Sequence, residues 1–348
     1  MRSRHFLYNT VASLFSQLIG IICGILLPRL MIFGFGSELY GTTVSITEFL
    51  GYISLLEGGI GGVARAALYS PLSEHDTNTI NLVLASIRQF FKKIALIFIG
   101  YTFILACSFQ YIASSYSLDW KFTFCLVIVI SLSNLAEYYM GISNSILLHA
   151  AQQGYVIRLL QSVTTIFNIL LTCVLIHYNC NILSVKFFYC FLHIIRIFIL
   201  NKYVKNRYGV KKIPAQADYL KQKWDCLGQH IAYFLHSKTD FFVLTIFVSS
   251  AEVAVYSIYS YIMTSLVTLT GFFTSGSEAV FGNMIARHER GHLIQFFDFM
   301  EFLIHSVVII VFTTGAIMIM PFIRLYTNTF TDAEYYRPVV AGLLLLAE

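Results

Sequence analysis

The sequence predicts an all-α polytopic membrane protein, and three observations lead there. Apolar stretches recur ten times along the 348 residues, most of them about 18–25 residues long. About 20 such residues are what a helix needs to cross a hydrocarbon core of about 30 Å. Only 12% of residues are charged while 57% are hydrophobic, against roughly 25% charged in a soluble domain, and mean hydropathy is +0.72. Finally, segments such as 94–112 and 306–322 are apolar on every side, and a helix of that kind offers water no face.

The elements follow in order. The first span, 6–27, comes after Met1-Arg2-Ser3-Arg4-His5. A cleaved signal peptide would carry small residues after its apolar run; Pro28-Arg29-Leu30 stand there instead, so the span is read as uncleaved. The second, 39–64, holds Glu48 and Glu57 and ends among Gly58, Gly59, Gly61 and Gly62, which let a helix bend or a neighbour approach closely. Spans 92–112 and 121–147 follow, the latter with Asn134, Glu137 and Asn144. Arg158 opens span 155–178, and Arg196 lies inside 182–203; both are long enough to snorkel toward the interface. Spans 227–249, 252–275 and 301–321 precede a last stretch, 334–348, which is short for a crossing. The expected organisation is an N-terminal lobe of six helices over 1–203, a basic cytoplasmic linker over 204–226, and a C-terminal lobe over 227–348 with four helices and an incomplete complement.

Lys and Arg set the orientation. With the N-terminus inside, sixteen of the 23 basic residues fall on inner segments and five (Arg29, Lys121, Lys186, Arg324 and Arg337) on outer ones. Arg196 and Lys238 lie within spans. That asymmetry fits the positive-inside rule and predicts a multi-pass plasma (inner) membrane protein with a cytoplasmic N-terminus. The net charge of +5 is then topology. No Lys/Arg stripe with interleaved stacking aromatics points to nucleic acid.

Other chemistries lack their signatures. The seven cysteines contain no CxxC pair, so they read as small apolar packers with no metal or redox centre. There is no phosphate-binding glycine loop, HExxH or GxSxG, and no enzyme is expected.

The informative residues are the charges inside spans, which are costly unless they face a cavity or a partner. Glu48 and Glu57 are nine residues apart and point to opposite faces of a straight helix. They therefore belong to different sites: Glu48 is read toward a cavity, Glu57 as a helix-end anchor paired with a basic group. In the seventh span His236 and Asp240 share a face at i, i+4, while Lys238 points away from both. The alternatives for that span are pairing of Lys238 and Asp240 with neighbouring helices, or a cation for an anionic substrate beside a carboxylate for a coupling ion. A shift of 213 residues lays Ser37 on Ser250, Gly41 on Ala254 and Gly58 on Gly271, a faint echo of the repeats from which transporters are commonly built.

Two segments carry a family resemblance. Glu38-Leu39-Tyr40-Gly41, then Phe49-Leu50-Gly51-Tyr52-Ile53-Ser54-Leu55-Leu56-Glu57-Gly58-Gly59-Ile60-Gly61, then Arg65, resembles the second-helix signature of polysaccharide exporters. That signature runs Tyr-Gly, a Ser-rich apolar stretch, Leu-Leu-Asp-Leu-Gly-Ile-Gly and Arg. Here Glu57 stands for Asp and Gly58 for Leu. Ser237-Lys238-Thr239-Asp240-Phe241 followed by Ala254-Val255-Tyr256-Ser257 is similar to the family's Ser-x-x-Asp and Gly-x-Tyr-Ser, with Ala254 for Gly. The motifs are short and apolar-rich, and the likeness runs through the chain in span order. The family is that of the Wzx-type O-antigen and polysaccharide flippases, within the multidrug/oligosaccharidyl-lipid/polysaccharide (MOP) exporter superfamily.

The resemblance implies a MATE-like two-lobe helical bundle with a central cavity and alternating access. It implies a flippase that carries undecaprenyl-pyrophosphate-linked oligosaccharide across the membrane for O-antigen, capsule or exopolysaccharide synthesis. Expected partners are the lipid-linked oligosaccharide, membrane lipids, a glycan polymerase and chain-length proteins. Arg29 and Lys238 are the cavity cations proposed for the pyrophosphate; Glu48 and Asp240 are the proposed coupling groups, for H+ or Na+ and with no other cofactor. Glu57, Arg65, Glu137 and His236 are secondary candidates. Family members normally have twelve or more spans, so ten implies that part of the second lobe is missing. The alternatives are a multidrug or cation antiporter of the same superfamily, or a membrane-embedded glycan polymerase or acyltransferase.

Overall fold

The computed structural model describes residues 2–113, 118–211, 213–214, 227–274, 281, 284 and 290–347. Every regular element among them is helical. In chain order they are α1 (Arg2–Gly51), a 3-10 turn (Tyr52–Glu57), α2 (Ile60–Ser73) and α3 (Thr77–Ile112). Then come α4 (Trp120–Ala136), a π-helical turn (Glu137–Gly141), α5 (Ile142–Ala150), α6 (Gly154–His177) and α7 (Ile182–Tyr208). The chain continues with α8 (Leu227–Phe247), α9 (Ser250–Thr274), α10 (Arg290–Tyr326) and α11 (Pro338–Ala347). Among the described residues, seven helices are long and apolar enough to cross a membrane. The chain is a polytopic helical membrane protein.

α1 is two antiparallel limbs joined at Gly36, whose φ of 84° and ψ of 163° are not helical and lie in a region essentially reserved for glycine. A length argument shows the reversal. The Tyr261 hydroxyl donates to the Gly20 carbonyl at 2.7 Å, and the Gly41 backbone abuts Ser250. In one straight helix Gly20 and Gly41 would stand about 31 Å apart, yet their partners on α9 are only about 16 Å apart. Doubling back at Gly36 removes the conflict. The first limb runs alongside α6, with Asn9 accepting from the Tyr155 amide at 2.8 Å and Gly34 facing Ile176. The second runs against α8, with Thr245 bonded to Ser45 at 2.9 Å and His230 to the Ser54 carbonyl at 2.9 Å. The first two spans are therefore helical up to the turn itself, without the polar connection expected over 28–38.

Other elements also depart from the expected spans. Span 39–64 is broken: the left-handed Gly58 (φ 56°) and Gly59 (φ 77°) separate the 3-10 turn from α2. α3 begins fifteen residues before the apolar run at 92, because Ile80, Val83, Leu84 and Ile87 bury one helical stripe. Asp76 caps it, accepting from the Asn78 and Thr79 amides at 3.0 and 3.1 Å. Those bonds, with one from the Thr79 hydroxyl foremost, hold the half-buried Asp76 carboxyl below its ordinary range. α7 runs on through Lys205 and Arg207, so the basic stretch starts on a helix. Lys212, Lys221, Lys223 and Arg287 lie outside the described residues.

The core is gathered in two main clusters. One joins buried residues between Ile46 and Val204, including Leu50, Phe98, Phe109, Leu126 and Leu147. The other joins Val255, Ile258, Tyr259, Met263, Ile319, Ile323 and Ala341 around Ile32 of α1. The α1 hairpin belongs to both, and a cleft opens beside it.

Candidate functional site

The cleft has a volume of about 900 Å3 and lies between the α1 hairpin, α8 and α9, with Lys186 of α7 and the end of α11 completing its wall. Helical spacing explains its lining. Tyr40, Thr43, Val44, Thr47 and Glu48 form one stripe of the second α1 limb. Ser260, Tyr261, Thr264, Val267 and Thr268 do the same on α9, and Ser237, Lys238, Asp240 and Phe241 on α8. The stripes are rich in hydroxyls, so the wall is wettable at a depth where bare hydrocarbon would be expected.

Glu48 and Lys238 meet in this cleft. Lys238 Nζ lies 2.8 Å from Glu48 Oε2, an ion pair between the second α1 limb and α8, with side chains 37% and 20% exposed respectively. Asp240 accepts from the Tyr256 hydroxyl of α9 at 2.6 Å. Lys238 and Asp240 thus each engage a neighbouring helix, as the first alternative for this span has it, and both line the cavity. His236 is exposed and lines the same wall.

The other sequence candidates lie elsewhere. Arg29 is exposed and stacks its guanidinium 5.7 Å over the Tyr326 ring of α10; its neighbours Leu27 and Pro28, not Arg29, line the cleft. Glu57 accepts from the Tyr138 hydroxyl at 2.7 Å, with His230 as a basic neighbour. It is separate from Glu48, although the helix between them changes from α to 3-10 at Tyr52. Arg65 is exposed on α2. Glu137 sits at the π turn, where a Cβ on Gly141 would come within 2.6 Å of its carboxylate. There it meets Arg196 at 3.1 Å and His193 at 3.2 Å, both from α7. Arg196 therefore pairs inside the bundle instead of snorkelling, and Arg158 bonds the Ser13 hydroxyl.

The end of the bundle that carries Gly36 is tied across. Asp332, from the α10–α11 connection, accepts from the Ser37 amide at 2.5 Å and from its hydroxyl at 2.8 Å, and Tyr335 bonds the same hydroxyl. Arg337 pairs with Glu252 at 2.7 Å, and the Tyr326 hydroxyl donates to the Ile25 carbonyl at 2.6 Å. The positions of the internal echo meet here too: a Cβ on Gly41 would lie 1.7 Å from the Ser250 carbonyl oxygen and 3.1 Å from the Ala254 nitrogen. Sequence reasoning used Lys186 only for orientation, although a lysine four residues into an apolar helix was a visible signal. Among the described residues, no group of three or more His, Cys, Asp or Glu side chains could hold a metal ion.

No protein-family model matches the sequence, and neither does any curated protein. A solved structure does resemble the fold: the inward-facing conformation of a multidrug resistance MATE family transporter of the MOP superfamily. It is 14% identical, with a TM-score of 0.62 over 97% of this chain and 79% of that one. At that identity the likeness is one of fold, and the fold class is accordingly a MATE-like helical bundle.

Proposed function

We propose that this chain is a membrane transporter of the MOP type that flips an undecaprenyl-pyrophosphate-linked oligosaccharide to the outer leaflet of the plasma membrane by alternating access. The observation that carries the reading is a hydroxyl-lined cleft at membrane depth with two lysines, Lys186 and Lys238, in its wall. A pyrophosphate is costly to move through a low-dielectric layer, and cations within the path lower that cost. The sequence motifs around Glu57 and Asp240 favour the polysaccharide branch, and the MATE-like fold supports a transporter. In this reading the Gly36 end is the outer one, closed by the Ser37–Asp332 tie. The N-terminal end is cytoplasmic, and Glu48 and Asp240 take the coupling H+ or Na+. The lipid-linked glycan, membrane lipids and the polymerase and chain-length proteins are the partners in this proposal.

Asp240 favours a second reading. It is an exposed carboxylate on the cleft wall, with a hydroxyl as its recorded partner, and such a group suits a cationic drug exchanged for an ion. Reconstitution separates the two. Proteoliposomes should translocate a fluorescent lipid-linked oligosaccharide and leave a cationic dye where it is. Dye movement without glycan movement would transfer the assignment to the antiporter.

A further inference from the structure

The cleft's charges are unequally compensated. Lys238 is neutralised by Glu48 at 2.8 Å, and Asp240 is held by the Tyr256 hydroxyl at 2.6 Å. Lys186 shares the cavity wall with all three, yet among the described residues no carboxylate lies within ion-pair distance of it. A cation at membrane depth is costly to keep without a partner, so an unpaired lysine facing a cavity points to a ligand that supplies the missing charge. Position adds to this. Lys186 is four residues into α7 and Glu48 eleven residues past Ser37, about 6 Å and about 16 Å from the Gly36 end at 1.5 Å per residue. The two lysines come from different helices and differ by about 10 Å in depth, a gap that two long side chains can close around an ion with two charged ends.

We infer that Lys186 and Lys238 form a split diphosphate site, and that Glu48 is its resident counter-ion, displaced from Lys238 when the diphosphate arrives. This rests on the export reading and adds to it the regulation of the site. Before a diphosphate binds, Lys186 is the cation open to an incoming anion, and Glu48 holds the place of the second phosphate on Lys238. A diphosphate bridging both lysines substitutes for Glu48. The freed carboxylate then has no cationic partner on α8 and is open to H+ or Na+. Binding of the anion and loading of the coupling ion thereby become linked, and the α1–α8 ion pair that joins the two sides of the cleft opens in the same step. The wall also carries His236, Asp240 and the phenols of Tyr40, Tyr233, Tyr256 and Tyr261, and neither His236 nor Asp240 forms an ion pair with Lys186 or Glu48.

The experiment is titration of the purified full chain in nanodiscs with inorganic pyrophosphate and, separately, with farnesyl diphosphate, read by calorimetry. Losing one charge-assisted contact should weaken pyrophosphate roughly tenfold in Lys186→Ala, whereas Lys186→Arg should retain it. Glu48→Gln should bind more tightly than the parent, because the competing carboxylate has gone. An unchanged affinity in Lys186→Ala, or a weaker one in Glu48→Gln, overturns the split site. So does a parent protein that binds neither ligand. A preference for farnesyl diphosphate assigns the anion to a lipid headgroup, and equal affinity assigns it to a soluble diphosphate; both keep the two lysines in place. The transport reading stands or falls separately, on glycan movement in proteoliposomes.

Discussion

At the residue scale, the argument turns on a few charges that hydrocarbon would not tolerate alone. Glu48 and Lys238 were legible as outliers because each interrupts an apolar run, and the cost of burying them marked both. Their pairing was not legible, since nothing in a linear sequence aligns span two with span seven. Lys186 was misweighted for a related reason: five helical residues from a loop, it reads as topology until the fold turns it toward a cavity. The pair yields a sharp test. Lys238→Met leaves Glu48 without its cation, Glu48→Gln leaves Lys238 without its anion, and removing one partner of a buried pair costs more than removing both. The double variant should therefore melt above Lys238→Met, with a coupling of about 1 kcal/mol for a pair this exposed. Additive melting shifts would mean that the 2.8 Å contact carries no energy. In cells, Lys238→Ala should lower surface glycan about tenfold, roughly 1.4 kcal/mol of lost stabilisation, at unchanged membrane protein level on a blot. Glu48→Gln should change how export responds to the pH or Na+ gradient, and a response identical to the parent's would exclude Glu48 as the coupling group.

At the element scale, helices were readable where the apolar run was long and hard to place where geometry depends on single glycines. The α1 hairpin shows why. Gly36 interrupts no apolar pattern, yet its backbone conformation is what lets two limbs pack against α9. The run at Gly58 and Gly59 was visible as a flexible point, but only the fold shows the break between the 3-10 turn and α2. Extensions such as 77–91 of α3 escape a search for uniformly apolar windows, because polar residues such as Asn78, Asn81, Arg88 and Gln89 interrupt the apolar ones. Gly41 is the most constrained position, since a methyl there would meet backbone atoms of Ser250 and not a side chain that can swing away. Gly41→Ala should thus cost about 1–3 kcal/mol by overpacking, read as a lower melting temperature in detergent. Gly61→Ala, which faces open space, is the matched control and should leave melting nearly unchanged. Equal melting of the two variants would remove the close α1–α9 approach as a constraint.

At the scale of the whole molecule, the two-lobe reading depends on how one end is held shut while the cleft remains open to substrate. The Gly36 turn leaves the second α1 limb starting with an uncapped amide, and a helix start needs such donors satisfied. The cap comes from a residue 295 positions away: Asp332 takes both the amide and the hydroxyl of Ser37. A cap borrowed from the α10–α11 connection ties the local stability of α1 to closure of this end. Opening at this end must give up those bonds, and water must replace them. Asp332→Ala should therefore shift the population toward the outward-open form without unfolding either core. A cysteine at Thr264, on the cleft wall, reports the shift in a background lacking the native cysteines. Its labelling by an impermeant maleimide from the outer face should rise several-fold when Asp332→Ala is added. Labelling that stays at the parent level would show that closure rests on the α1–α9 backbone contact at Gly41 and not on the borrowed cap.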